Sequence, residues 1–300
     1  MSVGVVNPSE SRRRAAATTR EVTATGRRPR RSKRARTLPM TILGCIFLAI
    51  MIFPIYWMIN TSLQNTSGAA TATWLPWHPT FAAYQAALSQ QGQNFVTSLV
   101  IGLGTVLITL IIATPCAYGL ARFKMKGTGA LLLVLLITQM VPTIVVANAL
   151  YTLFNNIGLL NSYVGLILAD SAVQIPFAVL LMRAFMESLP PSLVEAALVD
   201  GAGDFRAFVS IVIPISRNAI VTAALFTFLG AWGDFLIALT LTSTDAVRPI
   251  TLGIYNYIGS NVTAWGPVMA TSVLASLPAA ALLVFAQKYI AAGALGGAVK

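Results

Sequence analysis

Six long apolar runs constrain this chain more than any other feature of its sequence. A helix of about 20 apolar residues can cross the hydrocarbon core of a bilayer. Such runs occur at about residues 40–59, 95–120, 130–150, 163–182, 219–241 and 266–290. The mean hydropathy is +0.76 and only 10% of the residues are charged, which excludes an ordinary soluble domain. The sequence therefore predicts an all-α integral membrane protein with six transmembrane helices.

The basic residues are strongly segregated along the chain. Eleven of the 20 lysines and arginines fall in residues 1–37, and Arg248 alone falls on the opposite side of a six-span topology. Because cytoplasmic loops are enriched in lysine and arginine, we expect a multi-pass protein of the plasma membrane with both termini in the cytoplasm. The tail at residues 1–37 is predicted to be disordered and to lie beside anionic membrane lipids. It lacks the aromatic residues and folded motif that would indicate nucleic-acid binding.

One polar segment, residues 190–214, separates the fourth and fifth runs. Ser192 and Glu195 have the spacing of a capping box, in which each side chain bonds a free backbone N–H of the helix start. Gly201 suits the left-handed residue that ends a helix, and Asp204 can cap a second helix that reaches Ile213. The pattern predicts a short helix, a tight turn and a new helix. Capping alone does not distinguish a simple turn between membrane helices from a docking element.

The residue types of this segment resemble the EAA signature of the membrane subunits of ABC importers. The matching residues are Glu195, Ala196, Ala197, Asp200, Gly201, Ala202, Phe208, Ile211 and Pro214. The resemblance extends over about residues 38–300 and implies a type I ABC importer permease fold. It implies that residues 190–214 hold the cytoplasmic coupling helix, which docks on a separate ATPase subunit.

Two further stretches resemble the carbohydrate permeases of this class. Residues 232–235, Trp-Gly-Asp-Phe, resemble a motif of their fifth span, and residues 287–300 resemble the end of the maltose-type second permease. The resemblance implies import of a sugar, with a di- or oligosaccharide favoured. It also implies three kinds of partner, namely a second permease subunit, an ATPase subunit dimer and an extracellular sugar-binding protein. Membrane lipids are a further expected partner, because of the basic tail.

Polar residues within the apolar runs are the candidates for a solute pathway. They are Gln139, Asp170, Gln174, Trp232 and Asp234. A carboxylate inside a membrane usually faces a cavity or a partner, and Asp170 and Asp234 would lie at a similar depth. Carboxylates and amides suit sugar hydroxyls, and an indole suits an apolar sugar face. The plainer interpretation is that these groups bond each other, a partner subunit, or backbone freed near Pro176.

Signatures of catalysis do not occur in the sequence. It contains no GxxxxGK[ST] phosphate loop, HExxH or GxSxG motif, so we expect a non-catalytic transport subunit. ATP and magnesium would bind the partner ATPase, and we expect no cofactor or metal on this chain. Three alternatives remain: a permease of the same class for glycerol phosphate or an oligopeptide, an ion-coupled secondary transporter using Asp170 and Asp234, and a membrane enzyme, which the missing motifs disfavour.

Overall fold

The computed structural model of the protein describes residues 33–64, 72–123, 125–260 and 265–298. Every regular element within these ranges is a helix. The chain divides into two compact units, Met1–Ile55 and Tyr56–Lys300. Helix α1 begins at Lys33, inside the predicted tail, whereas residues 1–32 and the disorder predicted for them lie outside the described residues.

The described elements include both long and short helices. In chain order they are α1 (Lys33–Ser62), α2 (Ala82–Arg122), α3 (Thr128–Thr138), α4 (Thr143–Ile157), α5 (Tyr163–Met186), α6 (Ser192–Val199), α7 (Asp204–Ala207), a π-helical turn (Phe208–Val212), α8 (Ile213–Ile215), α9 (Arg217–Gly233), α10 (Leu236–Leu241), a 3₁₀ turn (Asp245–Val247), α11 (Ile250–Ser260) and α12 (Trp265–Ala298).

Four of the described helices are individually long and apolar enough to cross a membrane, namely α1, α2, α5 and α12. Two further spans arise only when a bent helix pair is counted as one. Helix α4 is bent by 96° relative to α3, and helical residues 204–215 are bent by 75° relative to α9. The count among the described residues then reaches the six spans that the apolar runs predict.

The third apolar run is not one continuous helix, as its length had suggested. Helix α3 ends at Thr138 and α4 begins at Thr143, with Pro142 at its N-cap. Proline disfavours helical geometry in the residue before it and has no N–H to donate. The chain therefore breaks at Pro142, although Pro176 is accommodated inside α5.

The fifth run is broken as well. Helix α9 ends at Gly233, the backbone of Asp234 is extended, and α10 begins at Leu236. The second run differs in the opposite sense, since α2 begins at Ala82, 13 residues before the predicted start at 95. Polar residues 82–94 therefore continue the helix beyond the apolar stretch.

Close contacts at glycine bring the long helices of the second unit together. A Cβ placed on Gly104 of α2 would lie 2.5 Å from Ile167 Cδ1 of α5, and one on Gly102 would lie 3.0 Å from Phe228 Cε2 of α9. Small residues at such contacts let membrane helices approach closely. This packing of α2, α5 and α9 forms the framework for both candidate sites below.

Candidate functional site

Helix α6 ends in a left-handed turn at Gly201, whose φ is +85°. The N–H of Ala202 donates to the carbonyl of Ala197 (2.9 Å), and the N–H of Gly201 donates to the carbonyl of Leu198 (3.1 Å). This pair of hydrogen bonds is the Schellman ending of a helix. The prediction that Gly201 ends the first helix of the segment is therefore confirmed.

The start of each helix in the segment differs from the prediction. Ser192 is the first residue of α6, Pro191 occupies the N-cap, and no side-chain capping bond forms. The predicted capping box of Ser192 and Glu195 is therefore wrong. Asp204 is likewise the first residue of α7 and Gly203 its N-cap, so the predicted cap at Asp204 is also wrong. In both cases the residue before the polar side chain already takes the capping position.

One face of α6 is attached to the ends of two long helices. Val194 and Ala197 are buried in an apolar cluster that includes Leu120 of α2 and Met182 and Met186 of α5. This burial removes apolar surface from solvent and is worth roughly 25 cal/mol per Å². Any displacement of α6 must therefore move α2 and α5 or break these contacts.

The second half of the segment packs on α2 through an aromatic pair. The rings of Phe208 and Tyr118 lie 5.0 Å apart between centroids, a distance at which such pairs stabilise one another. Phe208 opens the π-helical turn that precedes Pro214. Sequence reasoning missed Tyr118, because it lies within an apolar run and carries no motif.

Glu195 forms an ion pair instead of a cap. Its carboxylate lies 3.4 Å from the guanidinium of Arg122 at the end of α2. The two side chains are 63% and 26% exposed, so solvent screens the pair and its contribution is about 0–1 kcal/mol. The sequence pattern did not predict the pairing of Arg122 with this segment.

The other face of the segment is open. Val199 is 87% exposed and Phe205 is 78% exposed, and both flank the turn at Gly201. Ala196, Asp200 and Pro214 are also exposed, whereas Ala202 is half-buried. Large apolar side chains exposed beside charged ones are typical of protein–protein contact sites. The sequence pattern did not single out Val199 or Phe205.

Three of the five predicted pathway residues meet where α5 approaches α9. Asp170 of α5 is only 4% exposed and precedes Gln174 by four residues, about one helical turn. The amide of Gln174 lies against Gly230 of α9, where a Cβ would come within 1.9 Å of its Nε2. Asp234 follows Gly230 by four residues, so all three predicted residues belong to the region of this one helix contact.

The carboxylate of Asp234 has a structural role of its own. Its oxygens accept hydrogen bonds from the backbone N–H groups of Ile237 (3.3 Å) and Ala238 (3.0 Å). These are first-turn donors of α10, which have no partner inside that helix. Asp234 therefore stabilises the start of α10, as the plainer interpretation of the sequence had allowed.

Trp232 and Gln139 lie apart from this group. The buried indole of Trp232 stacks on Phe228 (5.4 Å between centroids) and donates to the carbonyl of Ala275 (2.9 Å). Its ring is thus occupied by helix contacts, contrary to the expected stacking on a sugar. Gln139 lies in the break between α3 and α4, where its amide donates to the carbonyl of Val173 at 3.4 Å. It lines a cavity whose walls also include Thr138, Thr143, Ala172 and Pro176.

Comparison with known families covers most of the membrane region. Residues 106–295 match the family described as binding-protein-dependent transport system inner membrane component. The chain belongs to this family. As a binding-protein-dependent transport component, it is a non-catalytic, multi-pass membrane permease that works in a complex with other subunits. Within the described residues, no group of three or more His, Cys, Asp or Glu side chains could hold a metal ion.

Two known permeases resemble this chain over nearly their whole length. The sulfoquinovosyl glycerol transport system permease protein SmoH of Agrobacterium fabrum is 30% identical over 263 residues, which is 86% of this chain and 92% of SmoH. The trehalose transport system permease protein SugB of Mycobacterium tuberculosis is 31% identical over 265 residues, which is 86% of this chain and 96% of SugB.

A solved structure supports the fold of this transport component. The crystal structure of a bacterial ABC transporter involved in the import of the acidic polysaccharide alginate contains a similar chain, with a TM-score of 0.73. The similarity covers 86% of this chain and 98% of that one at 22% sequence identity. The predicted all-α ABC importer permease fold is thereby confirmed, and the maltose-type subtype stays a prediction.

Proposed function

We propose that this chain is the permease subunit of an ATP-driven importer for a di- or oligosaccharide and forms half of the translocation pathway. The observation that carries the proposal is its similarity, over most of both chains, to permeases named for trehalose and for sulfoquinovosyl glycerol. Both names denote solutes that contain a sugar. Glycerol phosphate and oligopeptides are the competing solutes within the same class of importer.

We further propose that residues 190–214 are the coupling element. The exposed residues Glu195, Ala196, Asp200, Gly201 and Pro214 face an ATPase subunit, and the buried or half-buried residues Ala197, Ala202 and Phe208 shape the helix–turn–helix behind them. The burial of Val194 and Ala197 on α2 and α5 supports this role, because it gives a movement of the element a direct route into the long helices.

The proposed complex contains this chain, a second permease subunit, an ATPase dimer that binds ATP and magnesium, and an extracellular sugar-binding protein. The distribution of basic residues supports a cytoplasmic location for both termini and for residues 190–214. The tail at residues 1–37 is proposed as a topology anchor beside anionic lipid, separate from the permease domain at 38–300.

We propose that the solute passes the polar group at the α5–α9 contact. Asp170, Gln174 and Asp234 supply a buried or half-buried cluster of oxygen and nitrogen atoms, and buried membrane carboxylates usually serve a pathway or a partner. Gln139 supplies a second polar point at the α3–α4 break, beside the cavity described above. Trp232 instead joins α9 to α12, through its contacts with Phe228 and Ala275.

Reconstitution of the whole complex into proteoliposomes tests the function. Uptake of radiolabelled trehalose and other disaccharides is compared with uptake of glycerol phosphate and of a short oligopeptide, with and without ATP. ATP-dependent uptake of a saccharide is expected. Uptake by the purified chain alone, driven by an ion gradient through Asp170 and Asp234, would instead indicate a secondary transporter.

Two substitutions test the pathway, with one matched control. Gln174→Ala and Asp234→Ala are each expected to lower saccharide uptake, because each removes polar atoms from the α5–α9 contact. Gln93→Ala removes an equivalent amide from an exposed site on α2 and is expected to transport normally. If the first two variants transport with unchanged affinity and rate, these two residues are not part of the pathway.

A further inference from the structure

Helix α11 contacts both residues of the break between α9 and α10. The hydroxyl of Thr251 donates to the carbonyl oxygen of Asp234 at 2.5 Å. The ring of Tyr255 packs edge-on against Phe235, with 5.2 Å between centroids. Thr251 and Tyr255 are four residues apart and so lie on one face of the helix. A single face of α11 therefore covers the whole break.

The first turn of α11 is itself fixed on α2. The buried N–H of Ile250 donates to the hydroxyl of the buried Ser98 at 2.8 Å. Gly253 approaches two amide side chains of α2 so closely that a Cβ there would lie 2.5 Å from both Asn94 Nδ2 and Gln91 Oε1. Helix α11 thus bridges the α2 framework on one side and the break on the other.

The backbone of the break also has hydrogen bonds of its own. The N–H of Asp234 donates to the carbonyl of Ala231 (3.3 Å), and the carbonyl of Phe235 accepts from the N–H of Leu239 (2.8 Å). The last carbonyls of α9 have no partner inside that helix, and the Thr251 hydroxyl satisfies the carbonyl of Asp234. The carboxylate of the same residue is aimed at the amides of Ile237 and Ala238. A rotation of the Asp234 backbone would move the carboxylate away from these amides and would change its position relative to Asp170.

We propose that Thr251 and Tyr255 are positioning residues, which hold the Asp234 carboxylate at the α5–α9 contact so that α11 sets the geometry of the pathway there. This inference rests on the proposed function, since it deepens the role of Asp234 in the same pathway. A movement of α11 relative to α2 is then passed to Asp234 through one hydrogen bond and to the adjacent Phe235 through one ring contact.

Hydrogen exchange in the assembled complex tests the positioning. Thr251→Val keeps the shape of the side chain and removes the donor, whereas Thr251→Ser restores a hydroxyl. Thr240→Val is the matched control, because the Thr240 hydroxyl bonds only its own helix, at the carbonyl of Leu236. Loss of one hydrogen bond corresponds to about a fivefold change in an opening equilibrium. We therefore expect amides in residues 236–241 to exchange about fivefold faster in Thr251→Val, and at the original rate in Thr251→Ser and Thr240→Val.

A second variant and a control region distinguish a local effect at the break from general unfolding. Tyr255→Leu removes the ring contact without touching the hydrogen bond and is expected to accelerate exchange in residues 236–241 as well. Exchange in residues 268–275 of α12 is expected to stay unchanged in every variant. Unchanged exchange at 236–241 in Thr251→Val, equal acceleration in Thr240→Val, or failure of Thr251→Ser to restore the original rate would each overturn the proposal.

Uptake by the same variants separates this inference from the proposed function. Thr251→Val is expected to lower the maximal rate of ATP-dependent uptake and leave the half-saturation concentration unchanged, and Thr251→Ser is expected to restore the rate. A normal maximal rate in Thr251→Val would overturn the link to the pathway. If the unsubstituted complex transports no saccharide, the proposed function fails, while the exchange measurements still decide whether Thr251 positions Asp234.

Discussion

The turn at Gly201 offers a clean test of how the coupling element is built. A Cβ at this position would meet no atom within 4 Å, so Gly201→Ala introduces no steric clash with the rest of the protein. The cost comes only from the backbone, since φ is +85° and a left-handed conformation costs a residue with a Cβ about 1–2 kcal/mol. This penalty corresponds to a factor of about 5–30 in the equilibrium between the closed and the open turn.

Gly203 provides the matched control two residues further on. A Cβ on Gly203 also meets no atom within 4 Å, but its φ is −74°. Gly203→Ala therefore makes the same chemical change at an ordinary backbone conformation, and we expect a net effect below about 1 kcal/mol. Gly201→Asn is a partial rescue, because asparagine tolerates the left-handed region better than alanine.

Hydrogen exchange followed by mass spectrometry measures the effect in the purified complex. The reporters are the amides of residues 201 and 202, which close the turn by donating to Leu198 and Ala197. We expect these amides to exchange about 5–30 times faster in Gly201→Ala, with a smaller increase in Gly201→Asn and almost none in Gly203→Ala. Equal exchange in Gly201→Ala and Gly203→Ala would refute the conformational role of Gly201.

Three further substitutions address other contacts. Asn161 has a φ of +55° and accepts hydrogen bonds from both backbone N–H groups of residues 243–244. Asn161→Ala should lower the free energy of unfolding, measured by thermal unfolding, by about 1–3 kcal/mol, and by more than Asn161→Gly does. An equal loss in the two variants would contradict the contribution of the left-handed backbone. Gly230→Ala forces a Cβ onto the amide of Gln174, and we expect it to lower the free energy of unfolding by about 1–3 kcal/mol. Adding Gln174→Ala should recover part of this loss. If the effects of the two substitutions simply add in the double variant, the predicted clash is wrong. Arg122→Ala removes a solvent-screened ion pair. We expect the variant to co-purify with the ATPase subunit and to lose less than about 1 kcal/mol of stability. Loss of the complex would show that the ion pair is needed for docking.

The sequence predicted the features that depend on local patterns. Runs of about 20 apolar residues identify membrane helices because no other continuous structure satisfies the backbone in lipid. Gly201 could be predicted because a left-handed helix ending favours one residue type. The burial of Asp170 could be predicted because a carboxylate within a membrane span usually faces a cavity or a partner.

The errors arose where the outcome depended on the neighbouring residues or on tertiary contacts. The capping box failed because Pro191 already occupies the N-cap, which places Ser192 inside the helix. The break at Asp234 was hidden in an apolar run, since the contact with Thr251 that supports it comes from a helix 17 residues further along. Trp232 has the residue type that suits a sugar, and only the packing against Phe228 reveals that its ring is occupied.

The docking of residues 190–214 on an ATPase subunit is tested most directly by a photo-crosslinking amino acid at Val199. This side chain is 87% exposed beside the turn, so the probe should leave the fold intact. The same probe at Trp77, which is 74% exposed in the loop after the first span, serves as the control on the expected opposite side of the membrane. Irradiation of membranes that contain the whole complex is expected to join position 199, and not position 77, to the nucleotide-binding subunit. A cross-link from position 199 to an extracellular protein, or none to the nucleotide-binding subunit, would contradict the coupling role.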